Sequence, residues 1–238
     1  VVGAILNAGS IVVGSLVASR LAEPSTHALR RMRILISVML VYSGLSMTWS
    51  GFHGSFSMVM KQLGLTILSL SLGKLTGHLL GLQHRLTLLG RQAKLTLTGP
   101  VDPKQQFSSA FKACCIFFCL SPLTVPGCLA EGLGGDFRAL AVKAAMDGLA
   151  AMSFAKTLGW GSGFSAIPVF VLQGTLTLCA RAIRPWAEAN NFVDPWFAVL
   201  GLMVFTVSLV ALELKKIEFA DYLPSLLYAI AFAKWLGW

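Results

Sequence analysis

Lys143 and Asp147 lie four residues apart in the run RALAVKAAMDGLAAMSFAKTLG. On a helix that spacing puts an amine and a carboxylate on one face, within reach of each other. In apolar surroundings, pairing lowers the cost of burying either group. Such a pair can join helices, or it can act as a relay or latch beside an ion or proton pathway. Upstream, FSSAFKACCIFFCLSPLTVPGCLAEGLGGD carries Pro122 and Pro126. Each proline removes a backbone donor, so a helix here should break and free carbonyl groups as ligands. Glu131 and Asp136 follow the break, where acidic groups could collect cations at a mouth. A third segment contains Ser165, Pro168, Gln173 and Thr177. It reads as a second interrupted helix with a polar stripe. Asn7 and Gln173 are lone amides in apolar runs, suited to substrate contact or to bonding between helices. Lys74 and His78 are again four apart, with the simpler reading that Lys74 snorkels toward an interface. Glu213 is placed to pair with Lys216.

Other chemistry finds little support in the residues. The five cysteines, Cys114, Cys115, Cys119, Cys128 and Cys179, show no metal-ligand spacing with one another or with histidine. They read as free apolar thiols, and no metal site is expected. No phosphate-binding loop, dinucleotide fingerprint, zinc-protease helix or nucleophile elbow occurs. The chain is therefore expected not to be an enzyme and to need no cofactor.

The elements that hold these groups are set by composition. Only 12% of the 238 residues are charged, 55% are hydrophobic, and the mean hydropathy is +0.73. Soluble domains carry about 25% charged residues. A soluble enzyme, a disordered chain and a nucleic-acid-binding domain are excluded on that ground. Eight apolar runs approach the roughly 20 residues needed to cross a bilayer. They lie near 2–19, 34–52, 63–82, 108–130, 139–158, 162–182, 194–212 and 219–236. The reading is one integral membrane domain over 1–238, an all-α bundle of about seven to eight transmembrane helices, some interrupted. The last run is short enough to re-enter rather than span. The first lacks the basic start and the exit of a signal peptide, so it reads as a mature helix.

The net charge of +9 comes mostly from alternate loops. Arg20, Arg30, Arg31 and Arg33 form one cluster, Arg85, Arg91, Lys94 and Lys104 a second, and Lys156, Lys215 and Lys216 the rest. By the positive-inside rule these face the cytoplasm, which places both termini outside an inner membrane. Trp160, Trp186, Trp196, Trp235 and Trp238 fall near span ends, as an aromatic belt should. Gly73, Gly77 and Gly81 make a small-residue ridge that packs inside the protomer or across a homodimer. The spans permit inverted repeats without showing them.

Several segments together resemble one family, the DUF554 membrane proteins of bacteria. The opening GAILNAGSIVVGS at Gly3 to Ser15 is similar to that family's start. Cys119 to Asp136 resembles its C-x-G-P-M-x-x-x-G-x-x-x-D-G-L-x-G-D, with Ser121 for glycine, an added Pro126 and Glu131 for aspartate. KAAMDG at Lys143 to Gly148 resembles K-S-x-x-D-G. FSAIP and VLQGTLTL resemble S-A-x-P and Y-Q-G-x-x-T-L, without the tyrosine before Gln173. LKKIEFADYLP at Leu214 to Pro224 resembles K-K-I-R-V-x-x-x-L-P. The resemblance implies a polytopic bacterial inner-membrane protein with a transport role, and it gives no substrate.

The resulting expectation is a membrane transporter or channel for a small solute or ion. Its pathway would be lined by Asn7, Pro122, Pro126, Glu131, Lys143, Asp147, Ser165, Pro168 and Gln173. The lipid bilayer and the solute are its partners. The alternative is a structural or interaction protein, a dimeric helical scaffold held together by the same residues.

Overall fold

The computed structural model describes residues 1–18, 20, 25–98, 106–215 and 217–236. Lys104, Lys216 and Trp238 fall outside them. The described chain is all-helical. In order it forms α1 (Val2–Val17), α2 (Thr26–Ser50), α3 (Phe56–Leu79), α4 (Leu82–Thr98), α5 (Gln106–Cys119) and α6 (Thr124–Gly134). Then come α7 (Arg138–Leu158), the single turn α8 (Gly161–Phe164), α9 (Ala166–Ala189) and α10 (Val193–Ala211). A 3-10 turn at Phe219–Tyr222 precedes α11 (Ser225–Leu236).

Local chemistry sets several of the ends. Ser25 caps α2 by accepting the Ala28 N–H at 3.2 Å. At the end of α6, Gly135 takes a left-handed φ of +75°. Its N–H bonds back to Glu131 O, and Asp136 N–H bonds to Ala130 O, which satisfies the last carbonyls. Asp136 then turns to α7, accepting the Arg138 N–H at 3.0 Å and its guanidinium at 2.6 Å.

Two helix pairs dominate the packing: α1 on α7 and α2 on α10. The contacts run in the same order along α1 and α7, so these helices are parallel. A Cβ added at Gly3 would meet Leu140, and one at Gly14 would lie 2.2 Å from the Gly148 carbonyl oxygen. Ser10 Oγ lies at the same crossing, 2.7 Å from Ala144 O. Helices α2 and α10 are antiparallel, with Gly44 beside Phe205 and Gly51 beside Asp194. Gly73 and Gly77 of the expected ridge face Ser225 and Asp221 within the same chain. Only Gly81 faces open space, ending α3 with a φ of +64°.

Four described stretches are long and apolar enough to cross a membrane: His27–Ser50, Phe56–Leu79, Gly161–Ala189 and Val193–Ala211. Helices α5 and α6, bent by 57°, add a fifth if they make one span. This is fewer than the seven to eight expected. Helix α1 has 16 residues and α11 has 12, short of the roughly 20 that cross the hydrocarbon. Helix α7 is long enough but carries Arg138, Lys143, Asp147 and Lys156. The basic run at 85–94, expected as a loop, lies on α4. Glu213 pairs with Arg33 at 2.6 Å.

The outer faces carry exposed Leu35, Trp49, Phe56, Leu79, Ile167 and Trp235. A surface this apolar faces lipid. Buried contacts instead favour small residues that let backbones approach. Replacing Gly14 or Gly77 by leucine drives side chain into backbone and should cost at least about 1–3 kcal/mol. Gly9→Ala and Gly64→Ala, where a Cβ meets nothing within 4 Å, should be neutral or stabilising by up to about 1 kcal/mol. Thermal unfolding in detergent separates the two groups; a Gly14→Leu protein as stable as wild type contradicts the α1–α7 contact.

Candidate functional site

The site begins with a missing proton. In a regular helix the carbonyl of Phe118 would accept the N–H four residues on, but that residue is Pro122. Helix α5 stops at Cys119, and α6 departs at 57°. The Phe118 oxygen turns instead to Lys143 Nζ, 3.0 Å away. Pro126 is harmless by comparison. It is the third residue of α6, where the N–H has no partner inside the helix anyway.

Lys143 is fully buried and Asp147 is nearly so. They form a direct ion pair through Asp147 Oδ2, as their spacing predicts. The same oxygen accepts Asn7 Nδ2 at 3.0 Å. One carboxylate oxygen thus joins α1 to α7, and one ammonium joins α7 to α5.

Glu131 is not at an exposed mouth. It lies inside α6, 7% exposed. Its Oε1 accepts the Val1 nitrogen at 2.6 Å and the Gly3 N–H at 3.1 Å. These are the free donors of the α1 N-terminus, whose dipole favours an anion. Gln173 of α9 is fully buried. A Cβ added at Gly174 beside it would lie 3.9 Å from the Val1 side chain, and Thr177 one turn on lies against Cys128 of α6. Gln173 therefore belongs to the junction of α1, α6 and α9 that also holds Glu131.

The polar groups here are incompletely paired. Among the described residues, neither Gln173 Oε1 nor Nε2 has a hydrogen-bond partner, and Asn7 Oδ1 and Glu131 Oε2 have none. Each unpaired buried group costs about 1–3 kcal/mol, so these atoms are suited to receive something polar.

The structure treats Ser165 and Pro168 differently. Helix α9 runs unbroken from Ala166 through Pro168 and Gln173. The discontinuity lies earlier, between α8 and α9 at Ser165. Ser165 Oγ is buried and bonds locally to Ser162 O at 2.5 Å. No hydrogen bond joins it to Lys143 or Asp147. Pro168, the third residue of α9, sits where its missing N–H costs nothing. Pro122 is half-buried in the α5–α6 link. Asn7, Glu131, Lys143, Asp147 and Gln173 are thus the expected residues that line the contacts of α1 with α6, α7 and α9. The Phe118 carbonyl and the α1 N-terminus are additional members. The first was signalled by a proline four residues downstream. The second had no local signal.

The family model for a protein of unknown function, DUF554, matches residues 2–234. The chain belongs to the DUF554 family. It is 28% identical to the uncharacterized protein YqgA of Escherichia coli K12, over all of this chain and 99% of that protein. It is 26% identical to the uncharacterized membrane protein YdfK of Bacillus subtilis 168, over 68% of this chain and 67% of that protein. No solved structure matches it significantly. This DUF554 chain is a helical membrane protein, and its buried ion pair lies within the matched residues.

Removing one partner of a buried pair strands the other charge. Lys143→Met should therefore destabilise the protein by about 3–5 kcal/mol. The double variant Lys143→Met with Asp147→Leu removes both charges and should recover part of that loss, because Asn7 and the Phe118 carbonyl still lose their partners. Unfolding of the purified variants in detergent measures both. A double variant no more stable than the single would show that the charges are not coupled.

Proposed function

We propose that this protein is a membrane transporter or channel for a small polar solute or ion. Its site is the junction of α1, α6, α7 and α9 beside the α5–α6 break. The observation that carries the reading is Gln173, a fully buried amide with neither polar atom bonded. An amide left unbonded among packed helices is suited to bind a polar partner, and polar residues inside membrane bundles line such pathways as well as join helices. A solute that accepts from Nε2 and donates to Oε1 would satisfy it. Asn7 Oδ1 and Glu131 Oε2 offer two further acceptors on neighbouring helices.

The break supports the same reading. Interrupted helices are common at transporter sites, because their freed backbone groups can bind solute. Here Lys143 occupies the freed carbonyl of Phe118. An anionic solute could draw the ammonium away, and a cation could replace it at Asp147. Either exchange would loosen the link between α5 and α7. We propose no catalytic step for these residues. The basic clusters at Arg30, Arg31 and Arg33 and at Arg85 and Arg91 support an inner-membrane location with the start of α2 and the end of α3 toward the cytoplasm. The scaffold alternative uses the same bonds only as glue, and the glycine ridge gives it little support, since Gly73 and Gly77 are covered within the chain.

The two readings part at Gln173→Leu. The substitution removes two unsatisfied polar atoms and loses no hydrogen bond, so the protein should become more stable by about 1 kcal/mol or more. In proteoliposomes loaded with a panel of ions and small metabolites, wild type should pass at least one of them. Gln173→Leu should lose at least about tenfold of that flux, and Asp147→Asn should lose it as well. A destabilised Gln173→Leu protein, or a wild type that moves nothing in the panel, would favour the scaffold.

A further inference from the structure

Away from that junction, three metal-ligating side chains meet where α3 ends against the 3-10 turn. They are His78, Glu218 and Asp221, and one ligand atom from each lies within 4.8 Å of the others. Asp221 is the unusual member, being only 1% exposed. Its Oδ1 accepts the Gln83 N–H at 2.9 Å, at the start of α4. Its Oδ2 is buried with no hydrogen-bond donor. The nearest charge-capable group recorded for that oxygen is His78 Nδ1 at 3.7 Å, beyond hydrogen-bond reach. His78 is 72% exposed and Glu218 is exposed. An ion could enter between them and find a buried carboxylate oxygen beneath.

The surroundings fix this oxygen in place. Gln83 Oε1 accepts the Ala220 N–H at 3.0 Å, so Gln83 and the turn exchange two bonds. Gly77, the residue before His78, lets the Asp221 backbone rest on α3; a Cβ there would lie 2.2 Å from Asp221 O. Supports of this kind orient ligands around bound metals. Lys74, one turn before His78, is engaged elsewhere, over the Tyr222 ring at 5.8 Å.

We propose that His78, Glu218 and Asp221 form a binding site for a divalent transition-metal ion of the zinc class. An imidazole nitrogen and two carboxylates suit borderline ions, and three protein ligands leave a position open. Ligand atoms around such an ion sit about 2.0–2.2 Å from it, hence about 3–4 Å from one another. The His78–Asp221 pair already has that separation. The exposed Glu218 side chain closes the rest by rotation. Occupancy would fasten α3, the turn and α4 into one unit. No earlier step uses these residues, so this site stands or falls apart from the transport reading.

The test uses the full chain in detergent, stripped with a chelator, with Zn2+ titrated at neutral pH by calorimetry. One Zn2+ per chain should bind at micromolar concentration and raise the unfolding temperature. His78→Ala and Glu218→Gln alter exposed side chains and should fold as wild type without Zn2+. Each should weaken binding by at least about tenfold and lose the thermal shift. His53→Ala, at the separate His53–Asp194 pair (3.6 Å apart), should keep both. No binding to wild type up to about 100 µM would overturn the proposal, as would unchanged affinity in His78→Ala and Glu218→Gln.

Discussion

In hydrocarbon every backbone carbonyl has to find a donor within the protein, and Pro122 takes one away. The Lys143 ammonium that replaces it at Phe118 brings a full charge into the interior. That charge requires Asp147, one helical turn on. Asp147 in turn draws Asn7 from α1. Once α1 is held there, its free N–H groups point at Glu131 of α6. A single absent proton thus links the positions of α5, α7, α1 and α6. Each bond in the series is ordinary. Asp147 meets the charge from within α7, and the other bonds in the series cross from one helix to another.

The glycines make this series geometrically possible. Asn7 reaches Asp147 because α1 and α7 lie in backbone contact at Gly14 and Gly148. The same device on the other side of the molecule, at Gly44 and Gly201, joins α2 to α10. Large apolar side chains are displaced outward toward lipid. The closest helix crossings are therefore built on small residues, while Leu40, Met47, Phe118, Leu200 and Met203 fill the spaces between them.

Much of the site follows from short-range spacing. Four residues between Lys143 and Asp147 are enough to predict their pairing, and two prolines four apart are enough to predict a break. The ordered DUF554 motifs name the same segments. Tertiary facts are different. Glu131 looks like a surface acid because a glycine follows it, yet α6 continues and buries it against α1. Ser165 and Pro168 look like a break in mid-span, but a proline in the first turn leaves α9 intact. Fewer spans form than the apolar runs suggest because α1 and α11 are shorter than a crossing requires and α7 carries four charges. Asp221 lacked a signal of its own, since its burial depends on Gly77 and Gln83, more than 130 residues away.

The parallel packing of α1 and α7 also bears on how the chain is made. Asn7 and Asp147 are 140 residues apart in sequence. At about 5–20 residues per second, α1 leaves the ribosome roughly 7–28 s before its carboxylate partner exists. During that interval its amide has no Asp147 to bond and its glycine face has no helix to meet. Helix α1 thus waits for contacts that later segments of the chain supply. The ion pair can close as soon as α7 forms, but the bond from Asn7 waits until α1 and α7 meet.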